Sequence, residues 1–243
     1  MNQKDGVFKR FFEHLSNFEC RLARMWVRSA HRRLLCVQWH HPPQPEHFDH
    51  HIDLYAQFLD LRNSQWLERG VFGGLTLNGG TVLELACGDG FNARNFYSLR
   101  SKHVTACDFD PRAIKTAKLK NKAPNVTFLL ADIRHTMPKG DFDTVIWDTA
   151  IEHFTQEEIN LILQNIKRRL QARNGILSGH TIVEKESGEK SLSHHEYEFK
   201  SKEELKQFLE PYFKNVKVFE TIFPDRHNLY FWASDGEVPF SDN

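Results

Sequence analysis

The sequence predicts an α/β fold: a mostly parallel β-sheet with helices on both faces, preceded by a helical extension. Three observations carry that prediction. From Thr81 onward, short apolar runs alternate with helical stretches, the pattern of parallel strands joined by crossover helices. A glycine turn, Gly88-x-Gly90, directly follows the first of those runs, where a strand feeds a helix. Residues 7–37 instead repeat apolar side chains at three- and four-residue steps, which marks a helix.

Taken in order, the first element is that N-terminal helix. Phe8, Phe11, Phe12, Leu15, Phe18, Leu22, Met25 and Trp26 form its apolar stripe, and Arg21, Arg24, Arg28 and Arg32 form a basic one. Two readings stay open: a solvated helix face, or a surface that meets a membrane or an anionic substrate carrier. His41-Pro42-Pro43-Gln44-Pro45 breaks the helix, because proline removes a donor and fixes φ. A second helical stretch over about 48–72 carries Ile52, Tyr55, Leu59, Trp66 and Leu67. Gly73-Gly74 and Asn78-Gly79-Gly80 then mark a boundary, dividing the chain into a helical extension, 1–75, and a sheet domain, 76–243. Strands are predicted at 81–86, 103–107, 126–130, 144–147 and 175–183, with helices at 92–100, 111–121 and 155–171. The ending differs. A helix at 202–213 precedes strands 216–221 and 228–233, joined by a turn at Pro224-Asp225, so the last strand is expected to run antiparallel.

Composition sets the outer limits. At 243 residues, with 40% hydrophobic residues and twenty Phe, the chain has enough apolar surface for a real core. The net charge is zero, which gives no reason to expect a polyanionic partner. The basic residues are concentrated in positions 1–40, where eight Lys/Arg face three acids. Cys20, Cys36, Cys87 and Cys107 form no C-x-x-C pair, which argues against a zinc–thiolate site or a disulfide framework. No apolar run approaches the roughly 18 residues of a membrane span, and a cytoplasmic protein is expected.

The turn after the first strand decides the cofactor. Residues 82–93 read Val-Leu-Glu-Leu-Ala-Cys-Gly-Asp-Gly-Phe-Asn-Ala, and Asp108 follows at the tip of the second strand. A carboxylate there can accept both hydroxyls of a ribose. As a bare pattern, this also satisfies a dinucleotide fingerprint. Charge separates the two. A pyrophosphate is favoured at a helix N-terminus, but Glu84 and Asp89 flank this turn, and like-charge repulsion in a cleft costs on the order of a kcal/mol or more. S-adenosylmethionine (SAM) carries no phosphate, and its sulfonium and ammonium are cationic. Asp132 follows the third strand, where it can accept from an adenine amine. Asp148 ends the fourth, where the reactive end of the cofactor is expected.

Glu84-Leu-Ala-Cys-Gly88-Asp-Gly90, Asp108-Phe-Asp110-Pro, Ala131-Asp132-Ile133 and Asp148-Thr-Ala-Ile-Glu152-His153-Phe resemble the four successive motifs of class I SAM-dependent methyltransferases over about 80–234. The likeness is greatest to the small-molecule branch and bacterial members. It implies a Rossmann-like seven-stranded sheet of order 3-2-1-4-5-7-6 with strand 7 antiparallel. It further implies that Gly88 and Gly90 pack against the methionine part of SAM, that Asp108 binds the ribose, Phe109 lies along adenine and Asp132 holds its amine. With Glu84, Ala86, Asp89, Ile133 and Asp148, these make up the expected cofactor-binding set.

Methyl transfer is an in-line displacement, and a hydroxyl acceptor must lose its proton. Candidates after strands four and five are Glu152, His153, His180, His194, His195 and Glu196. His153 leads because imidazole titrates near neutrality, with Glu152 and His195 beside it as catalytic candidates. No metal is expected: some related enzymes bind a divalent ion through Glu-x-x-Glu-His, and here Thr149 replaces the first Glu. Asp148-Thr149-Ala150-Ile151 does not match the base-amine methylase pattern, and no basic track with interleaved aromatics supports a nucleic-acid substrate. The expected activity is O-methylation, with N-methylation as the second choice, of a small-molecule or glycan-like acceptor, with Tyr55, Trp66 and Arg69 shaping its pocket. A non-catalytic SAM-binding protein that docks a partner or a membrane through its basic helix is the alternative, and an NAD-linked oxidoreductase is a third.

Overall fold

A computed structural model describes residues 3–38, 54, 62–170, 174–224 and 226–240. The proline break, Tyr55, Ile52, Leu59 and the start of the second helical stretch lie outside them. The chain divides into two compact units, Met1–His47 and Phe48–Asn243.

The first unit is built on α1 (Gln3–Gln38). Its Phe8, Phe11, Phe12, Phe18, Met25 and Trp26 side chains are all exposed. Among the described residues no helix is long and apolar enough to cross a membrane.

The second unit holds a seven-stranded sheet, in the order expected: β3-β2-β1-β4-β5-β7-β6. Its strands are β1 (Thr81–Leu85), β2 (His103–Asp108), β3 (Val126–Leu130), β4 (Thr144–Asp148), β5 (Ile176–Ile182), β6 (Asn215–Phe223) and β7 (Arg226–Ser234). β1 to β5 are parallel, and β7 runs antiparallel to both its neighbours, β5 and β6. Among the described residues, four α-helices accompany it: α2 (Gln65–Gly74), α3 (Pro111–Lys120), α4 (Gln156–Leu170) and α5 (Lys202–Leu209). Local chemistry starts three of them. Asp110 accepts the Arg112 N–H at 2.7 Å ahead of a proline in the first turn of α3. Thr155 and Glu158 form a reciprocal capping box on α4, at 3.0 and 3.3 Å. Ser201 accepts the Glu204 N–H at 3.2 Å to open α5.

Side chains alternate between the two faces of a strand, and this alternation sorts the core. Leu83, Leu85, Val145, Trp147 and Leu177 join the α4 and α5 side chains in one apolar cluster. Val82, Val104, Ala106, Phe128 and Ile146 join Ala93, Tyr97, Ile114 and Ala117 in the other. By the same parity Glu84, Asp108, Asp148 and His180 belong to the second face, which α2 covers.

The expected helix at 92–100 is not an α-helix. Ala93–Tyr97 forms a π-helical turn and Ser98–Arg100 a 3-10 turn. The Asn95 amide donates to the Phe91 carbonyl at 2.9 Å, so a side chain competes for a backbone acceptor. The wider turn sets Phe96 against Gly70 and Tyr97 against Gly73, so closely that a Cβ at either glycine would come within 2.4 or 2.9 Å of the ring atoms.

Candidate active site

The loop after β1 holds three residues at positive φ: Ala86 at 54°, Gly88 at 54° and Gly90 at 75°. The two glycines serve different ends. A Cβ on Gly88 would meet nothing within 4 Å, whereas one on Gly90 would strike Phe128 at 2.5 Å and Ala117 at 3.0 Å. Gly88 thus faces open space, and Gly90 lets the turn pack on β3 and α3. Asp89 is buried. Its carboxylate accepts the Phe91 N–H at 3.1 Å and its carbonyl accepts from Asn121 at 2.7 Å, so it secures the start of the following turn.

Asp108 lies beside that loop. Its two oxygens accept the Gly88 N–H and the Asp110 N–H, each at 2.9 Å. Each oxygen keeps a lone pair for another donor, which fits a ribose diol. Burial pushes the Asp108 carboxyl up, and the two backbone N–H groups hold it back. Phe109 is 67% exposed at the same tip. Asp132 is engaged by Arg134, with Nη2 at 2.6 Å and Nε at 2.9 Å, which holds its carboxyl below the usual range. An adenine amine would share Asp132 with that guanidinium. Ile133 points into the α4-side core.

Glu84 lies deeper than a loop residue. It is buried in β1, and its Oε2 has no hydrogen-bond partner among the described residues. Burial, then the Asp148 charge, pushes its carboxyl well above the ordinary range, and Asp89 and Asp108 add to the effect. The carboxylates from successive strand tips therefore act on one another electrostatically. An unpartnered buried acceptor among acids suits a cationic ligand.

At the end of β4, Asp148 is buried and its pKa is pushed up to about 6, burial outweighing the Arg69 guanidinium that lowers it. Arg69 comes from α2. Its Nε lies 3.1 Å from Asp148 Oδ2, close but not aligned as a hydrogen bond. Its Nη1 donates to Thr149 Oγ1 at 2.6 Å. Thr149 sits at φ 52°, a strained setting for a β-branched residue. Its N–H donates to the His180 carbonyl at 2.9 Å and its hydroxyl meets His180 Nδ1 at 2.8 Å. With Oγ1 accepting from Arg69, the hydroxyl donates to Nδ1, and His180 Nε2–H donates to Asn228 Oδ1 at 3.2 Å. His180 is fully buried, and burial followed by the Arg226 and Arg69 charges pushes its pKa well down. It is a neutral, positioned imidazole. Glu68 in α2 accepts from Tyr230 at 2.8 Å and Thr221 at 2.9 Å, fastening the helix to β7 and β6.

The remaining candidates gather in a separate group. Glu152 is buried. Its carboxylate accepts from Thr181 Oγ1 at 3.1 Å, and its carbonyl accepts the Glu196 and Tyr197 N–H groups at 2.7 and 3.2 Å. It ties the 195–197 segment to the turn after β4. His153 is half-buried, His194 exposed and His195 buried, and the three rings lie together. Burial and its two imidazole neighbours lower the His194 pKa. His195 Nδ1 is hydrogen-bonded to Glu198. Sequence reasoning missed Thr149 and Glu198. A His-x-x-Glu spacing was the available signal for the latter; the former had none.

Residues 82–173 match the family model described as "Methyltransferase domain". The chain is 25% identical over 159 residues to the malonyl-[acyl-carrier protein] O-methyltransferase of Bacillus anthracis, covering 60% of this chain and 58% of that protein. It is 29% identical over 126 residues to the ribosomal protein L11 methyltransferase of Dechloromonas aromatica (strain RCB), covering 49% and 40%. The chain thus spans about half the length of these relatives. The crystal structure of the N-methyltransferase NodS from Bradyrhizobium japonicum WM9 in complex with S-adenosyl-L-homocysteine covers 73% of this chain and 90% of its own, with a TM-score of 0.58 and 16% identity. At that identity the likeness concerns the fold.

Proposed function

We propose, on the premise that the chain carries a class I SAM-dependent methyltransferase domain, that it transfers the methyl group of SAM to an oxygen of a small-molecule or glycan-like acceptor. Nitrogen is the less favoured nucleophile. One observation carries the cofactor half of this reading: an open turn at Gly88 whose N–H donates to Asp108 at 2.9 Å, above a buried Glu84 oxygen without a partner among the described residues. The diol of SAM would take the remaining lone pairs of Asp108, its methionine end would lie along Gly88, and its positive charge would be met by Glu84 and Asp148. SAM supplies an electrophilic methyl on a sulfonium. The acceptor oxygen forms the new O–C bond, the S–C bond breaks, and its electron pair stays on sulfur.

The acceptor half rests on the imidazole group. We place the acceptor hydroxyl at His153, which follows Asp148 closely in the chain, and take His153 to receive its proton and pass it to solvent. His195 and Glu152 then hold the segment that frames the acceptor. A relative that methylates an acyl-carrier-bound malonyl group is consistent with an oxygen nucleophile. The exposed aromatic side chains and arginines of α1 favour a second reading, in which the chain binds SAM and docks a partner or a lipid surface without turnover.

Calorimetric titration of SAM into wild type and Asp108→Ala tests the cofactor half, with at least a tenfold loss expected in the variant. Equal affinity would remove Asp108 from the ribose site. Turnover on an acceptor panel by the same wild-type preparation separates an enzyme from a docking protein.

A further inference from the structure

Three imidazoles meet where the turn after β4 faces the segment after β5. His153, His194 and His195 each offer one ring nitrogen, and these nitrogens all lie within 4.8 Å of one another. The His153 and His194 rings are stacked at 4.9 Å, with His195 edge-on to them at 4.9 and 5.3 Å. His195 Nδ1 is held by the buried Glu198 carboxylate, which also accepts the Ser191 N–H at 2.8 Å and its hydroxyl at 3.3 Å. A carboxylate on one nitrogen of an imidazole fixes the tautomer, raises the basicity and leaves the other nitrogen as a ligand. Here that nitrogen is Nε2.

We propose that His153, His194 and His195 form a binding site for a transition-metal ion of the zinc class, with Glu198 as its positioning residue. Imidazole is a preferred donor for such ions. At Zn–N distances of about 2.0–2.1 Å the three nitrogens would stand about 3.4 Å apart, so shifts of about 1 Å in the less buried His153 and His194 close the site. The expectation of no metal rested on Thr149 standing where a carboxylate ligand would be. The structure offers a different donor set: Thr149 is engaged by Arg69 and His180, and Glu152 by Thr181. Three protein ligands leave a fourth position open. If the chain transfers methyl to an oxygen as proposed above, that position takes the acceptor oxygen; with the ion bound, the ion stabilises the deprotonated oxygen and the proton passes to solvent, replacing the His153 proton transfer. Only this use rests on that function; the ion site itself does not.

The test is titration of the full chain with ZnCl2 against a chromophoric chelator, in the absence of SAM. Wild type should take up one equivalent with micromolar or tighter affinity. His194→Ala, at an exposed position, should weaken it at least tenfold, and Glu198→Gln by about 10- to 100-fold. A variant with His40, His41, His47, His50 and His51 replaced by Ala should bind as wild type does, which separates this site from the histidines near the N-terminus. Wild type that takes up no zinc at 100-fold excess, or His194→Ala that binds as wild type does, would overturn the site. SAM titration of the wild type reads the cofactor half independently: SAM binding by wild type that takes up no zinc rejects the ion site alone, and zinc uptake by wild type that binds no SAM rejects the cofactor assignment alone.

Discussion

Gly88 and Gly90 look alike in sequence and do different work. Both sit at positive φ, but only Gly90 has neighbours in the way of a side chain. Gly88→Ala should therefore cost about 1–2 kcal/mol of stability from the left-handed backbone alone, fold normally, and bind SAM at least tenfold more weakly because its methyl occupies the ligand's space. Gly90→Ala adds overpacking against Phe128 to the same backbone strain and should cost about 3 kcal/mol or more. Urea denaturation and SAM calorimetry on the two variants separate the cases. A Cβ has room at Gly88 and none at Gly90, so the two glycines have different surroundings in this structure. Nothing in a Gly-x-Gly pattern distinguishes a glycine facing a ligand from one facing a phenylalanine brought up by another strand.

At the scale of elements, α2 matters most to the site. It delivers Arg69 to Asp148 and Thr149, and Glu68 to Tyr230 and Thr221. Arg69→Ala should destabilise the chain by about 3–5 kcal/mol in urea denaturation at pH 8, because it strands a buried charge. The loss should shrink at pH 5, where a neutral Asp148 needs no partner. Arg69→Lys should not restore stability, since one ammonium cannot reproduce the two-pronged contact. The strands and main helices were legible because short apolar runs and apolar residues at a period of 3.6 mark them directly. Other features were not. The π-helical turn depends on the Asn95 amide and on two glycines of α2, and the strained Thr149 on partners from α2 and β5. His195 and Glu198 were within reach as an i, i+3 pair, but their burial comes from the fold. The carboxylates at the strand tips were legible as a set, because strands of one parallel sheet end on one side. That Glu84 lies in the first strand was legible; that it is buried beside Asp148 came from packing.

Across the whole molecule, a chain of zero net charge concentrates acidic groups from several strands on one sheet face. Burial raises Glu84 and Asp108, and Asp148 to about 6. Raised carboxylates favour the protonated folded state; for Asp148 that contribution to stability is full below about pH 4 and is lost as pH rises through about 6. A cationic ligand reverses the preference. SAM affinity should climb as pH rises through about 6, and binding near that pH should release protons, read by calorimetry in two buffers of different ionisation heat. A flat profile with no proton release would remove Asp148 from the cationic end of the ligand. The place of β7 has another consequence. It is the last of the seven strands in chain order, yet it lies inside the sheet, bonded to β5 on one side and β6 on the other. During synthesis, β5 emerges from the ribosome well before Arg226–Ser234 exists to cover its edge, so the nascent chain carries an unpaired strand for that interval. Shortening that wait, through translation speed or a chaperone that shields the edge, should govern how much of the protein reaches its finished form.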